Sequence, residues 1–192
     1  MRQRAGQAPV LRADAARNRD RILRVAREQL AAGDDSLQFN ALARLAGVGV
    51  GTIYRHFPNR HALVEALSVE RFQELVGQAR AAVAAEDALA GLHSLLRFAL
   101  DRALDDPGFA AVLESADDAE AQTSQMKSEI DRSITELLDR ARLAGVLRSG
   151  LEADDVRRLL CGVEHAVRSG DSDPRRRELY LGVLLEGLRP TR

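Results

Sequence analysis

A short run of polar side chains, residues 50–56, has the chemistry needed to bind a polyanion. It contains the hydroxyls of Thr52 and Tyr54, the guanidinium of Arg55 and the imidazole of His56, and it contains no acidic residue. Hydroxyl, imidazole and guanidinium groups donate hydrogen bonds, and these suit the phosphate oxygens and base edges of a nucleic-acid groove. We therefore expect this run to contact DNA.

The apolar residues around this run repeat with the period of helices. Ile22, Ala26 and Leu30 lie four apart in a predicted first helix from Asp14, which ends before Gly33. Phe39, Leu42, Ala43 and Ala46 predict a second short helix that ends at Gly47. Residues 47–49 leave room only for a tight turn, and residues 52–57 resume helical character before Pro58.

A helix, a short glycine-containing turn and a second helix form the helix-turn-helix plan, whose second helix enters the major groove. Ile53 and Phe57, four apart, would hold one face of that helix against the other helices. The polar residues would then remain on the other faces. The alternative is an ordinary helical hairpin with a polar surface.

The sequence from 42 to 60 reads LARLAGVGVGTIYRHFPNR and continues into ALV at 62–64. This stretch resembles the tetracycline-repressor (TetR) family of bacterial transcriptional regulators, specifically over about residues 14–66. The rest of the chain resembles the family only in its length and in its all-helical pattern. The resemblance implies a three-helix DNA-binding head, a regulatory body of about six helices, and a homodimer that a small ligand releases from a palindromic operator.

Carried over by position, the resemblance implies two sets of DNA-binding residues. Positions at which the family commonly contacts phosphates are Thr52, Tyr54, His56 and Arg60, and positions that face the bases are Val50, Gly51 and Arg55. Arg60 follows Asn59, a good helix N-cap, so its cation lies beside free amides. Asn40 is a further DNA candidate. The alternatives are a solvated first-turn residue for Arg60, a packing residue for His56 and a capping residue for Asn40. Gly49 departs from the family, which often has serine there.

Charge is distributed unevenly along the chain. Residues 1–66 hold 11 Arg and 6 Asp or Glu, a net charge of +5, whereas residues 67–192 hold 17 Lys or Arg and 23 Asp or Glu, a net charge of −6. A basic N-terminal module and an acidic remainder suit a head that binds a polyanion and a body that does not. We predict a flexible basic arm at 1–13, the DNA-binding domain at 14–60 and a ligand-binding and dimerisation domain at 61–192.

The body is predicted to be helical throughout. A long helix over 60–84 is followed by segments at about 86–105, 108–114, 120–144, 152–169 and 174–188. The last two are apolar on more than one side, which suggests that a second face is buried against another subunit. We name Val163, Leu181, Leu184 and Leu185 as interface candidates. The alternative is two core helices of a monomer.

A catalytic or metal site is not expected. Cys161 and His165 stand four apart, with His93 or Glu164 as a third member, but a mid-helix cysteine is more often an inert apolar filler. No set of metal ligands is singled out, and no cofactor is expected. For a small ligand, polar or adaptable candidates are His93, Arg97, Phe109, Met126 and His165, each of which is alternatively a core or surface residue.

The sequence therefore predicts an all-α transcriptional regulator that is not an enzyme. It contains one cysteine and no apolar run of the about 18 residues that a membrane span needs, so we expect a cytoplasmic protein with no membrane partner. The expected partners are double-stranded operator DNA, a second copy of the chain and an unidentified small molecule. The alternative function is a helical protein-interaction module without sequence-specific DNA binding.

Overall fold

The computed structural model describes residues 7–170 and 174–190. In this part of the chain there are nine α-helices and no β-strand, which confirms the all-α prediction. The helices are α1 (Gln7–Ala31), α2 (Phe39–Ala46), α3 (Val50–His56), α4 (Arg60–Ala84), α5 (Ala88–Asp105), α6 (Pro107–Glu114), α7 (Ala121–Leu143), α8 (Ala153–Arg168) and α9 (Pro174–Gly187). None of the helices in these ranges is long and apolar enough to cross a membrane.

The first helix is longer than the sequence pattern predicted. It begins at Gln7, inside the range 1–13 that was expected to be a flexible arm, while residues 1–6 of that arm lie outside the described residues. Pro9 falls in the first turn, where a missing N–H removes no intrahelical hydrogen bond. The residues that follow include many good helix formers, so lack of apolar periodicity did not prevent helix formation.

The chain divides into two compact units, with the boundary between Leu67 and Ser68 inside α4. In the N-terminal unit, α1, α2 and α3 pack against one another in pairs. Their common core consists of Ile22, Val25, Ala26, Leu42, Ala43, Ala46, Ile53 and Phe57, all of them buried. The helical period placed all of these except Val25 on the inner faces, and for them the predicted core is confirmed. The prediction was wrong for Leu30, which is 41% exposed near the end of α1, and Phe39 is only half-buried.

Helix α5 is the central element of the C-terminal unit. It contacts α6, α7 and α8, and it buries eight of its positions. Phe72 of α4 and Phe109 of α6 are both fully buried, and their rings pack with centroids 4.9 Å apart. A helix that is apolar on more than one side belongs in the middle of a helical unit, which is where α5 lies.

Arginine side chains close the exposed ends of two helices in this unit. Arg140 of α7 donates to the carbonyl oxygens of Val83 (2.6 Å) in the last turn of α4 and of Ala85 (2.6 Å) and Glu86 (3.1 Å) just after it. Arg168 of α8 donates to the carbonyl of Ala103 near the end of α5, at 2.7 Å. The last carbonyls of a helix have no intrahelical donor, so each guanidinium satisfies groups that burial would otherwise leave unpaired.

The apolar residues of α8 and α9 are divided between an inner and an outer face. Leu181 and Leu184, two of the predicted interface residues, are 1% and 8% exposed and belong to the core of their own unit. Leu184 also borders the open apolar groove that Leu159, Val163 and Val183 line, and a place for Leu181 or Leu184 in a subunit interface stays a prediction. The exposed apolar side chains are instead Leu159, Leu179 and Val183, at 43%, 59% and 64%. Val163 and Leu185 are half-buried.

Gly91 lies where α5 comes closest to α4. A Cβ atom there would stand 2.5 Å from the carbonyl oxygen of Ala82 and 3.2 Å from a methyl group of Leu137. We predict that Gly91→Ala lowers the free energy of unfolding by about 1–3 kcal/mol, because backbone and side chain must move apart. The measurement is urea unfolding followed by circular dichroism.

Gly77→Ala is the matched control for this substitution. Gly77 is an exposed residue within α4, and a Cβ there would meet nothing within 4 Å. In an open helix position alanine is favoured over glycine by about 0.8–1.0 kcal/mol, so the control variant is expected to be more stable than the wild type. Two variants that gain stability alike would contradict the close approach at Gly91.

Candidate nucleic-acid interface

The turn between α2 and α3 is built around Gly47. Its φ of +63° is in the left-handed region, which glycine adopts without steric cost. The amides of Gly47 and Val48 donate to the carbonyls of Arg44 (3.3 Å) and Ala43 (3.0 Å), and this closes α2. Helix α3 then begins after Gly49, whose carbonyl accepts from the amide of Thr52 at 2.8 Å. The predicted helix-turn-helix is confirmed.

Two fully buried residues hold α3 in place. Ile53 and Phe57 have no exposed surface, and the guanidinium carbon of Arg19 lies 4.9 Å from the centre of the Phe57 ring. A cation over an aromatic face is attracted by the ring quadrupole, so this contact adds to the packing. With these two residues facing inward, the polar positions of α3 lie on its outer faces as predicted.

Tyr54 is the most prominent side chain of this outer surface. It is 55% exposed, and its ring stands edge-on to Phe39 of α2, with centroids 5.1 Å apart and planes at 64°. This edge-to-face geometry is a favourable aromatic arrangement. It fixes the ring while the phenol remains available to donate a hydrogen bond.

The other predicted DNA-binding residues lie on the same small unit. Asn40, Gly51 and Arg55 are exposed, whereas Val50, Thr52 and His56 are half-buried. The Nε of Arg55 donates to the carbonyl of Gly51 on its own helix at 3.1 Å, which leaves the terminal guanidinium nitrogens for other acceptors. The structure brings all these residues to α2 and α3, and the N-cap of α2 is Gln38, so Asn40 lies in the first turn and not at the cap position.

Arg60 begins α4 and is held against the preceding loop. Its Nη2 donates to the backbone carbonyl of Asp35 at 2.8 Å. The side chain of Asn59 accepts from the amide of Ala62 at 2.9 Å, which confirms the predicted N-cap. Arg60 is therefore neither buried nor loosely solvated: it is an exposed cation whose position is fixed beside a capped helix N-terminus.

His56 lies between the packed and the exposed parts of the head. Partial burial, together with the positive charges of Arg19 and Arg55, holds the pKa of His56 below its ordinary value. The imidazole is therefore neutral at neutral pH, and it has one N–H to donate.

Two family models match the chain. The model of the bacterial regulatory proteins of the tetR family matches residues 22–67, and the model of the SbtR-like transcriptional regulator C-terminal domain matches residues 87–190. A TetR transcription regulatory protein from Mycobacterium vanbaalenii is 34% identical, with 94% of this chain and 99% of that one covered and a TM-score of 0.50. The chain belongs to the TetR family. It is a transcriptional regulator with a DNA-binding domain and a ligand-binding C-terminal domain, and regulators of this family are not enzymes.

Two further solved structures are similar to this TetR-family chain. The regulator SCO0520 from Streptomyces coelicolor is 31% identical, covers 91% of this chain and 99% of its own, and has a TM-score of 0.54. FadR from Bacillus subtilis, in complex with stearoyl-CoA, is 19% identical over 88% of this chain and 96% of its own, with a TM-score of 0.56. At that identity the likeness shows the fold alone. A comparison with curated proteins found no match.

The C-terminal unit contains a cavity of about 290 Å³. Its floor is apolar and is formed by Leu75, Leu95, Leu96, Ile130, Ile134 and Leu160. Charged side chains complete the lining, namely Asp118, Lys127, Asp131 and Arg157. The helical spacing of Lys127, Ile130, Asp131 and Ile134 places all four on one face of α7, a signal that is present in the sequence.

The five predicted ligand-binding residues do not line this cavity. His93 and Arg97 border an open groove between α5 and α9, where Arg97 pairs with Glu178 at 2.6 Å. Phe109 and Met126 are buried in the core, and His165 is exposed on α8. Those candidates were chosen by residue type alone, and their helical positions place them on different faces.

Cys161 and His165 do not form a reactive pair. Burial raises the pKa of the Cys161 thiol, which disfavours the nucleophilic thiolate, and the exposed His165 lies 3.3 Å from the hydroxyl of Ser169. Among the described residues, no three His, Cys, Asp or Glu side chains are grouped so as to hold a metal ion.

We predict that NMR titration of His56 gives a pKa below the ordinary value of 6.5. A lowered folded-state pKa means that the unfolded chain binds more protons between the two values. The stability contributed by neutral His56 is therefore present above about pH 6.5 and is lost as the pH falls through the folded pKa. The NMR signal that is lost in the His56→Gln variant is that of His56.

The charge effect on His56 is tested separately. Arg19→Gln removes a neighbouring positive charge and is expected to raise the pKa of His56. Arg24→Gln removes a charge from the same helix that is paired with Glu28 at 2.8 Å, and it is expected to leave this pKa unchanged. A wild-type His56 pKa at or above 6.5 would contradict the partial burial of the ring in the folded head.

Proposed function

We propose that this TetR-family regulator is a cytoplasmic repressor that binds a palindromic operator as a homodimer and leaves it when a small ligand binds. One observation carries the DNA-binding part: the exposed face of α3 and the start of α4 present Tyr54, Arg55 and Arg60 with no carboxylate among residues 50–60. A surface of donors without acids fits the negatively charged groove of DNA.

The positions of these side chains support a division of roles. Tyr54 and Arg60 are anchored, one by Phe39 and the other by the carbonyl of Asp35, so they suit phosphates at fixed positions. Arg55 stands on α3, whose face would enter the major groove, and its terminal nitrogens suit the O6 and N7 acceptors of guanine. Val50 and Gly51, at the start of α3, are proposed to approach the bases, and Thr52, His56 and Asn40 the backbone.

A single head presents one helix of seven residues to DNA. That is a small footprint for tight specific binding, whereas two heads about 34–36 Å apart reach successive major grooves on one face of the duplex. We therefore propose a homodimer. Its interface is the outer apolar surface of α8 and α9, where Leu159, Val163 and Val183 border one open groove and the exposed Leu179 lies one turn before Val183 on α9, because exposed apolar side chains favour association.

Release by a ligand is proposed to act through the C-terminal unit. That unit holds the apolar cavity, and a structural neighbour, FadR, is known in complex with stearoyl-CoA. A ligand weakens operator binding only if it favours a conformation with lower affinity for DNA, and operator must then weaken ligand binding by the same factor.

We predict that Tyr54→Phe weakens binding equally for the operator and for its single-base variants. The substitution keeps the ring on Phe39 and removes only the phenol, so it removes a phosphate contact that carries no base information. Arg55→Ala is expected to lose about 1–3 kcal/mol on the preferred operator and to relax preference at one or two base pairs. The measurement is fluorescence anisotropy with duplexes selected by the wild type from a random pool.

Arg132→Ala is the matched control for Arg55→Ala. The Nε of Arg132 donates to the carbonyl four residues earlier, Ser128, at 3.3 Å, as Arg55 does with Gly51, but Arg132 lies in the body. The control is expected to bind DNA as the wild type does. Wild-type affinity that does not fall as salt rises would instead favour a protein-interaction module, because phosphate contacts release counterions.

We predict that Leu179→Arg and Val183→Arg each yield a folded monomer with weakened operator binding. Both side chains are exposed in the single chain, so arginine is tolerated there, but an unpaired charge in the dimer interface is costly. Light scattering gives the mass in solution, and circular dichroism gives the helicity.

Two controls test the location of this interface. Leu143→Arg places the same charge on a 90% exposed leucine at the end of α7, and that variant is expected to remain dimeric. Leu181→Arg places the charge in the core and is expected to unfold the body rather than to separate intact subunits. Dimeric Leu179→Arg and Val183→Arg proteins would show that the interface lies elsewhere.

A further inference from the structure

The cavity of the C-terminal unit has one charged lining group without a partner. Lys127 donates to the carbonyl of Ser115 at 2.8 Å and pairs with the carboxylate of Asp118. Arg157 pairs with Asp154 on its own helix. Across residues 7–170 and 174–190, the carboxylate of Asp131 receives no hydrogen bond and forms no ion pair.

The surroundings of Asp131 make an unpaired carboxylate costly. Partial burial raises the pKa of its carboxyl, the charge of Asp154 adds to that effect, and the charges of Arg157 and Lys127 offset part of it. A half-buried carboxylate keeps part of its hydration, and a donor or a cation that binds it replaces the part that burial removes. Asp131 also borders an open groove on its other side, with Thr135 and Arg142, so it lies between the cavity and solvent.

We propose that the cavity binds a small apolar primary amine, with its ammonium group against Asp131 and its hydrocarbon part over the leucine and isoleucine floor. This assignment rests on the proposed function, in which a small ligand binds the body. The cavity offers each end of such a molecule a complementary surface: a carboxylate acceptor without a partner, and apolar side chains that gain from burial.

The charge pattern favours a cation over an anion. An anion would compete with Asp118 for Lys127 and with Asp154 for Arg157, and it would also meet the negative charge of Asp131. Binding an anion to Lys127 would break its pair with Asp118 and leave Asp131 as a repulsive neighbour. An amine meets its acceptor without breaking either pair.

The size of the cavity sets the size of the amine. A volume of about 290 Å³ is near the lower end for small-molecule sites. We therefore expect a single ring with a short aminoalkyl chain.

Calorimetric titration of the full chain with matched probes tests the proposal. The probes are 2-phenylethylamine, 2-phenylethanol and 3-phenylpropionate, together with 2-cyclohexylethylamine and 2-cyclohexylethanol as a second pair. For at least one ring, the amine is expected to bind about tenfold or more tightly than its alcohol, as a charge-assisted hydrogen bond provides. The carboxylate is expected to bind more weakly than both.

Two substitutions on α7 test whether the ammonium group binds at Asp131. Asp131→Asn keeps the size of the side chain and is expected to reduce amine binding to the level of the alcohol. Glu136→Gln removes a charge from an exposed position on the same helix and is expected to change nothing. Amines that bind no better than their alcohols, or an Asp131→Asn variant that keeps the preference, would overturn the proposal.

A third variant tests the cavity itself, independently of Asp131. Ala99 lines the cavity, and Ala99→Leu extends a side chain into its empty space, so it is expected to abolish binding of amine and alcohol alike. Full binding by this variant would place the probes elsewhere and would overturn the assignment. Thermal unfolding shows whether each variant is folded.

Operator binding separates this inference from the proposed function. If the amine binds in the cavity but leaves the affinity for operator unchanged, the ligand assignment stands and release by ligand fails. If no amine binds more tightly than its alcohol while the protein still binds operator, the cavity assignment fails and the DNA-binding function stands.

Discussion

The carbonyl groups at helix ends are the constraint on which much of this structure depends. An all-helical chain leaves the last carbonyls of every helix without intrahelical donors, and packing the helices together removes the water that would otherwise satisfy them. This chain supplies cationic side chains instead. Arg140 holds the segment after α4, Arg168 holds the end of α5, Lys127 holds Ser115 after α6, and Arg60 holds the loop before α2. A count of arginines therefore overstates how many are free for DNA or ligand.

The same constraint determines the chemistry of the cavity. Lys127 and Arg157 would suggest an anion if they were judged by residue type, yet each already serves a neighbour within the unit. Asp131 is the charged group that a ligand reaches without competing with either pair. A charged side chain in the lining is available to a ligand when no neighbour already binds it. Asp131 meets that condition, although nothing in the sequence distinguishes it from the other carboxylates of α7.

The head could be predicted from sequence in detail because its signals are local. Helical period, Gly47 and Asn59 fix the elements, and the inward positions of Ile53 and Phe57 leave the polar face of α3 outside. The body was predictable only as a succession of helices. Which of the leucines of α9 are buried depends on how that helix rotates against its neighbours, and period alone did not distinguish Leu181 from the exposed Leu179. The cavity depends on long-range packing: the helical spacing of α7 places its lining residues on one face, but it does not show that this face borders a cavity.

The tether of Arg60 supports its proposed role at phosphate. A guanidinium has five N–H donors, and the bond to Asp35 uses one of them, so most of the fork remains available. Side-chain entropy is a main cost of fixing a long cation on DNA, and a residue already held in place loses less of it on binding. The hydrogen bond within the head and the contact with phosphate are therefore not alternatives. The hydrogen bond to Asp35 holds the guanidinium in position for the phosphate. The adjacent N-terminus of α4 also favours an anion through its dipole.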